Sequence, residues 1–395
     1  MPVVVELENC PDPWQAMRHL ADWADPVLLE SNLRRAHVGR YSFLTADPYR
    51  RIDLPRVEYG TDPLAEVRRI LQVSPQPTVA GLPPFQGGAV GLLSYECAGA
   101  WERLPRSGRD EFQFPDLAIG FYDWVLAWDH EQGRAWIIAH DVPGKEGHSR
   151  LNAGERVRQV RARLQEEPVE AGVIGRKPGE EISAERISPQ FPVPNHPEIS
   201  SNFERSAYLR AVERVLEYLR AGDIFQVNLA QRLLARQSCS AGELYARLRR
   251  KNPAPFSALV VTADWALISA SPERFLAVKE GEVETRPIKG TRRRQAYPAA
   301  DLFTRDELRE SSKDLAENTM IVDLLRNDLS KVCQPGSMKI PQLCQVEMYE
   351  TVQHLVSEVR GFACRRMRCV GSGCRRVFPR IDHGAPACDG DHLRI

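Results

Sequence analysis

Strand-like apolar runs broken by short turn sequences, and a few stretches with helical spacing grouped among them, predict an α+β protein built on antiparallel sheet. The runs PVLLES, GRYSFLTADP, GGAVGLLSYE and DWVLAWDHEQGRAWIIAHD come first. The last of these pairs two strand-like halves around Glu131-Gln132-Gly133. Residues 1–165 therefore read as a largely β domain with a few helices. Between 166 and 202 the chain is rich in Pro, Glu and Ser without a sustained apolar period, the composition of a linker. After it, Tyr208, Val212, Val215, Leu216 and Leu219 recur at helical spacing, and Gly222 supplies a stop. Phe225, Val227 and Leu229 alternate with Gln226, Asn228 and Ala230, which predicts a strand with one buried face. A meander follows with turns near Ala263-Asp264 and Glu280-Gly281. From Asp306 to Asp328, the positions Leu308, Leu315, Ile321, Leu324 and Leu325 predict one long helix. Residues 203–361 form the second expected domain.

The 395 residues carry 53 Lys+Arg and 53 Asp+Glu, with 43% hydrophobic and 27% charged residues. Such a balance gives no basic field for nucleic acid and no acidic solvating tail, while the apolar fraction is ample for a core. The last 35 residues hold seven Arg, three Asp and four of the nine Cys, leaving 46 basic and 50 acidic residues before them. The start lacks a basic, apolar leader, and no stretch reaches the roughly 20 apolar residues that span a bilayer. Cys10, Cys97, Cys239, Cys333 and Cys344 are scattered and odd in number, which fits reduced thiols. A soluble cytoplasmic protein, without membrane or nucleic-acid partner, is the expectation.

Chemistry-bearing residues cluster in the second half: Ser271-Pro-Glu-Arg274, Pro287-Ile-Lys-Gly-Thr291, Asp314 with Glu317, and His354. No Gly-rich phosphate loop, HExxH or GxSxG accompanies them, which removes support for phosphoryl transfer and serine hydrolysis. Asp314 and Glu317 lie three apart on a predicted helix, so both carboxylates can project from one face, as a Mg²⁺ site with few protein ligands needs. Glu317 can equally form a surface ion pair with Lys313. Lys289, between a strand end and a Gly-Thr turn, is either an amine nucleophile or a solvated loop lysine. Glu273 is a general acid if buried, or a partner of Arg274. His354 either orients a substrate hydroxyl or is a satisfied core histidine.

The motifs GDIFQVNLAQR (222–232), NPAPFSALV (252–260), SPERFL (271–276), TRPIKGTRRR (285–294), KDLAENTMIVDLLRNDLSKVC (313–333) and VQHLVSEVRG (352–361) follow one another in the order and spacing of the catalytic half of the chorismate-utilising enzymes. The segments LLES, GRYSFL and PFQGGAVGLLSYE resemble the N-terminal domain of the same family. The resemblance implies antiparallel sheets packed as a sandwich with helices outside. It also implies chorismate as substrate, Mg²⁺ as cofactor and a glutaminase partner supplying ammonia, since this chain shows no Cys-His glutaminase motif of its own. Anthranilate synthases usually carry Ala in the P-I-A-G-T turn, and the aminodeoxychorismate branch commonly Lys. The PIKGT here therefore implies amination of chorismate at C4 to 4-amino-4-deoxychorismate, on the route to 4-aminobenzoate and folate, with ortho-amination the alternative.

Carried over on matched positions, Lys289 is the implied nucleophile and Glu273 the implied general acid. Gly290, Thr291 and His354 would contact substrate. Glu317 would be a Mg²⁺ ligand with Asp314 beside it. Gln226 stands where water-using members place a lysine base. A tryptophan pocket is implied at Ser31, Val38, Gly39, Arg40 and Tyr41, with Pro255, Phe256 and Ser257.

After Gly361 the likeness stops, and residues 362–395 read as an aberrant tail. Cys364, Cys369, Cys374 and Cys388 with His383 contain no CxxC pair, so a zinc site is disfavoured. A frameshift near codon 361 is the reading adopted. It leaves a catalytic domain that lacks the family's last segment and a chain whose activity is in question, with an inactive remnant that still binds tryptophan or the glutaminase as the alternative from another class.

Overall fold

A computed structural model describes residues 1–34, 38–106, 110, 112–142, 152–175, 191–349 and 352–364. Its chain divides into two units: Met1–Ala100, Pro105–Glu204 and Gln231–Pro272 form the first, and Trp101–Leu104, Arg205–Ala230 and Glu273 onward the second. The first unit begins with β1 (Val3–Glu6), α1 (Pro13–His19), β2 (Val27–Glu30), β3 (Tyr41–Thr45), β4 (Arg50–Leu54), α2 (Ala65–Val73), β5 (Gly88–Leu93), β6 (Leu117–Tyr122), β7 (Trp124–Asp129) and β8 (Arg134–Ala139). It continues with α3 (Ala153–Arg163), β9 (Phe191–Val193) and β10 (His196–Ser201). Helix α4 (Arg205–Ala221) belongs to the second unit, and β11 (Leu233–Ala235), α5 (Ala241–Lys251), β12 (Phe256–Val261) and β13 (Ala266–Ser271) return to the first. The second unit is completed by β14 (Ala277–Lys279), β15 (Glu282–Thr285), β16 (Ile288–Arg293), α6 (Pro298–Glu310), α7 (Ser312–Ser330), β17 (Lys339–Met348) and β18 (Val352–Phe362).

The α+β class is as expected, since every pairing between the named strands is antiparallel. In the first unit a seven-stranded sheet runs β1-β8-β7-β3-β2-β12-β13, and β4-β6-β5 form a second sheet. Val27 and Val260 of the larger sheet meet Tyr122 and Val90 of the smaller in one apolar cluster, the packing a sandwich requires. The main core joins Trp124, Leu126 and Trp128 of β7 to Met17 of α1, Val157 and Val160 of α3, and Tyr245 of α5. Each such large side chain, once fully buried, contributes about 1.5–3 kcal/mol. Both α3 and α5 start at capping boxes, Asn152 with Glu155 and Ser240 with Glu243, which satisfy the orphan N–H groups of the first turn.

In the second unit β18 is central, with β15 and β16 along one edge and β17 along the other. Alternation turns Gln353, Leu355, Ser357 and Val359 to one face and His354, Val356 and Glu358 to the opposite one. Val359 and Val283 pack with Val322, Leu325 and Leu329 of α7, so the odd-numbered face of β18 is the helix face.

Several expectations are corrected. The single helix over 306–328 is two helices broken at Ser311, whose backbone is extended (φ −63°, ψ 102°) and whose Oγ accepts the Asp314 N–H at 3.3 Å. A serine that caps cannot also continue the helix before it. Residues 225–230 form no strand, and Phe225 is exposed, because no neighbouring segment among the described residues offers them a ladder. The expected linker is partly built into the first unit: Val169 N–H bonds to Arg18 O, Ile174 is buried, and 191–201 supply β9 and β10. Its residues 176–190 lie outside the described residues, as do 365–395 of the tail. The second unit takes up the chain at Arg205, but residues 231–272 return to the first unit, where β12 pairs with β2.

Candidate active site

Strand β16 carries Lys289, Gly290 and Thr291, and its register against β18 shifts between Ile288 and Thr291. Gly290 sits at φ +81°, and a Cβ there would come within 3.0 Å of both Asp314 Cβ and Leu308 Cδ1. Glycine thus permits the left-handed backbone and lets the strand run close beneath the start of α7. Across this approach Lys289 Nζ stands 3.9 Å from Glu317 Oε1, and Gln226 Nε2 reaches the same oxygen at 3.5 Å. Among the described residues the cation at ion-pair distance from Glu317 is Lys289, not Lys313. Asp314 turns elsewhere: its Oδ2 accepts from Arg292 Nη2 at 3.1 Å.

Glu273 Oε1 accepts the Ile288 N–H at 2.9 Å, which places this carboxyl beside the residue preceding Lys289. Desolvation raises its pKa, against the Ile288 hydrogen bond and the Lys289 charge, although the residue is exposed to solvent rather than buried. Arg274 pairs with Glu284. On the sheet face away from α7, Thr291 Oγ1 lies 2.8 Å from His354 Nδ1, and the Tyr349 ring meets the imidazole edge-on at 4.9 Å. His354 is buried, and desolvation lowers its pKa with only Glu347 opposing, so the ring is neutral at neutral pH.

The residues fit a divalent ion in part. Glu317 keeps 33% of its side chain exposed, whereas Asp314 is committed to Arg292. Among the described residues no three His, Cys, Asp or Glu side chains converge. A single carboxylate suits Mg²⁺, which commonly takes most of its shell from substrate and water.

In the first unit Ser31 Oγ lies 2.7 Å from Tyr41 O and 2.8 Å from Pro255 O, so its one proton serves one carbonyl at a time. This serine ties together the two segments of the expected tryptophan pocket. Gly39 (φ +81°) is required because a Cβ would fall 2.2 Å from Leu33 O. Val38 makes an isolated bridge, and the Arg40 guanidinium is bidentate on Asp129. Ser257 Oγ reaches Asn32 Oδ1 at 3.2 Å, and Phe256 is half-buried.

Sequence reasoning missed the buried polar groups that hold these places. Glu30 accepts from Tyr245 Oη at 2.7 Å and from Arg249 beneath Ser31. Asn318, fully buried, donates to Leu355 O at 3.1 Å and accepts from Ser357 Oγ at 2.5 Å. Its signal is readable: an amide interrupts the apolar stripe Asn318, Val322, Leu325, Leu329.

Residues 26–369 match the chorismate binding enzyme family. Aminodeoxychorismate synthase component 1 of Klebsiella aerogenes is 36% identical over 353 residues, covering 85% of this chain and 70% of that protein. Its Escherichia coli counterpart is 36% identical over 300 residues, covering 75% and 59%. Anthranilate synthase component 1 of Streptomyces coelicolor is 34% identical over 335 residues, covering 85% and 62%. The chain therefore spans 59–70% of the length of these relatives. Crystalline anthranilate synthase component I from Streptococcus pneumoniae superposes with a TM-score of 0.63 at 24% identity, covering 88% of this chain and 78% of that one, and so shares the fold. The match over residues 26–369 and the 36% identity to the Klebsiella aerogenes protein show that the chain belongs to the chorismate binding enzyme family.

Proposed function

We propose that the chain aminates chorismate at C4, giving 4-amino-4-deoxychorismate for 4-aminobenzoate and folate synthesis. The observation that carries this reading is Lys289 on β16, within reach of Glu273 through Ile288 and of Glu317 across Gly290. The neutral Lys289 amine forms a bond to C2 of the ring and gives up a proton to solvent, as both conjugated ring double bonds shift by one position and the C4–O bond breaks. Glu273 gives its proton to the departing hydroxyl, which leaves as water. Ammonia then adds at C4 as the C2–N bond to Lys289 breaks. A covalent step divides one hard substitution into two easier ones. The resemblance gives Thr291 and the neutral His354 the task of orienting the substrate, and both lie on the sheet face away from α7. Gln226, an amide where a base is needed to activate water, argues against hydroxylation.

Mg²⁺ is the cofactor we assign, with Glu317 as the ligand this chain offers; when bound, it draws electron density from a substrate carboxylate. A glutaminase partner would supply ammonia, and tryptophan is the ligand proposed at Ser31, Tyr41 and Pro255. The thiols among the described residues are free, which fits a reducing cytoplasm, and no helix there is long and apolar enough to cross a membrane. Likeness to anthranilate synthase at 34% identity keeps ortho-amination as the second reading. Product analysis separates them: with chorismate, ammonium and Mg²⁺ the chain should yield the para-amino product, and Lys289→Ala should abolish it. Para product at an undiminished rate from Lys289→Ala would remove the covalent role, and anthranilate from the unaltered chain would favour the second reading.

A further inference from the structure

We infer that Asn318 is a positioning residue that sets the height of α7 over the sheet and so places Glu317 beside Lys289. This inference takes the importance of the Lys289–Glu317 pair from the proposed function, but its geometry stands independently. Asn318 follows Glu317 directly and is fully buried at the junction of three elements. Its Nδ2 donates to Leu355 O, the residue next to His354, at 3.1 Å. Its Oδ1 accepts from Ser357 Oγ at 2.5 Å and lies 3.5 Å from Cys344 Sγ. Ser357 Oγ in turn accepts the Cys344 N–H at 2.8 Å, where β17 is irregular and Cys344 has φ +50°. One amide thus joins α7, β18 and β17. Apolar contacts alone, as at Val322 and Leu325, resist separation of helix and sheet but allow sliding, whereas directional hydrogen bonds fix the axial position. A slide of one residue would move Glu317 by about 1.5 Å along the axis, enough to break a contact that is already 3.9 Å long.

The test is zero-length crosslinking of the full chain with a water-soluble carbodiimide, which joins a carboxylate to an amine at ion-pair distance, read by peptide mass spectrometry. The unaltered chain should give a Lys289–Glu317 crosslink, and Val322→Ala, which loosens the same helix without touching the network, should retain it. Asn318→Ala should lose most of the crosslink. Ser357→Ala, which leaves the bond to Leu355 O intact, should lose less and serves if Asn318→Ala does not fold. The inference is overturned if the unaltered chain gives no crosslink, or if both network variants crosslink as well as Val322→Ala. Chorismate turnover, measured separately, judges the proposed function: a crosslinked but inactive chain would sink the reaction and leave the positioning role standing.

Discussion

Partial desolvation raises the pKa of the Glu273 carboxyl, although the side chain remains exposed, so it holds its proton more tightly than a free glutamate. As pH rises from about 4.5 towards 7, the unfolded chain gives up this proton first, so the folded state loses stability relative to a chain without the group. Glu273→Gln keeps an acceptor for the Ile288 N–H and removes the titration. Its stability relative to the unaltered chain, from urea midpoints, should therefore improve as pH rises; a difference that stays flat would show that Glu273 has no raised pKa. His354 works in the opposite sense, since a lowered pKa makes the folded state prefer the neutral ring and lose stability towards acid. At this scale motifs of distinctive order singled out Lys289, Glu273, Glu317 and His354, and the structure brings Lys289 to Glu317 and Glu273 to the Ile288 N–H. The turning of Asp314 to Arg292 was not legible, because helical spacing shows which residues share a face but not which cation stands opposite.

Among the elements, Ser311 and Gly290 decide how α7 meets the sheet. Ser311→Ala removes the side-chain cap of α7 and should cost about 1 kcal/mol. Gly290→Ala faces both a left-handed backbone and a Cβ within 3.0 Å of Asp314 and Leu308; the backbone term alone is about 1–2 kcal/mol. Gly290→Ala should therefore lower the urea midpoint more than Ser311→Ala does, and the reverse order would mean that strand and helix are not held this closely. Hairpins read well from sequence because their turns are local: Glu280 and Gly281, at φ +53° and +85°, form the turn between β14 and β15 where it was expected. The break at Ser311 and the missing strand at 225–230 did not read, because the first depends on one hydroxyl choosing to cap and the second on a partner distant in sequence.

At the scale of the whole chain, the division of the fold escaped the sequence for the same reason. Residues 231–272 pass to the first unit because β12 finds its partner in β2, more than two hundred residues earlier. Composition marks where a chain turns polar, but not where a later strand returns. The zero net charge likewise described no single surface, since the basic excess lies in the last 35 residues. With no glutaminase motif of its own, the chain should use ammonium and not glutamine as its nitrogen source; amination with glutamine alone would place a glutaminase within it. Covalent attack by Lys289 can be caught without any nitrogen donor. The chain should be incubated with chorismate and Mg²⁺ in the absence of ammonia, quenched, and mapped by peptide mass spectrometry. An adduct of dehydrated chorismate is expected on the peptide containing Lys289, absent in Lys289→Ala. An unmodified Lys289 in a chain that still forms the para-amino product once ammonium is added would contradict covalent attack.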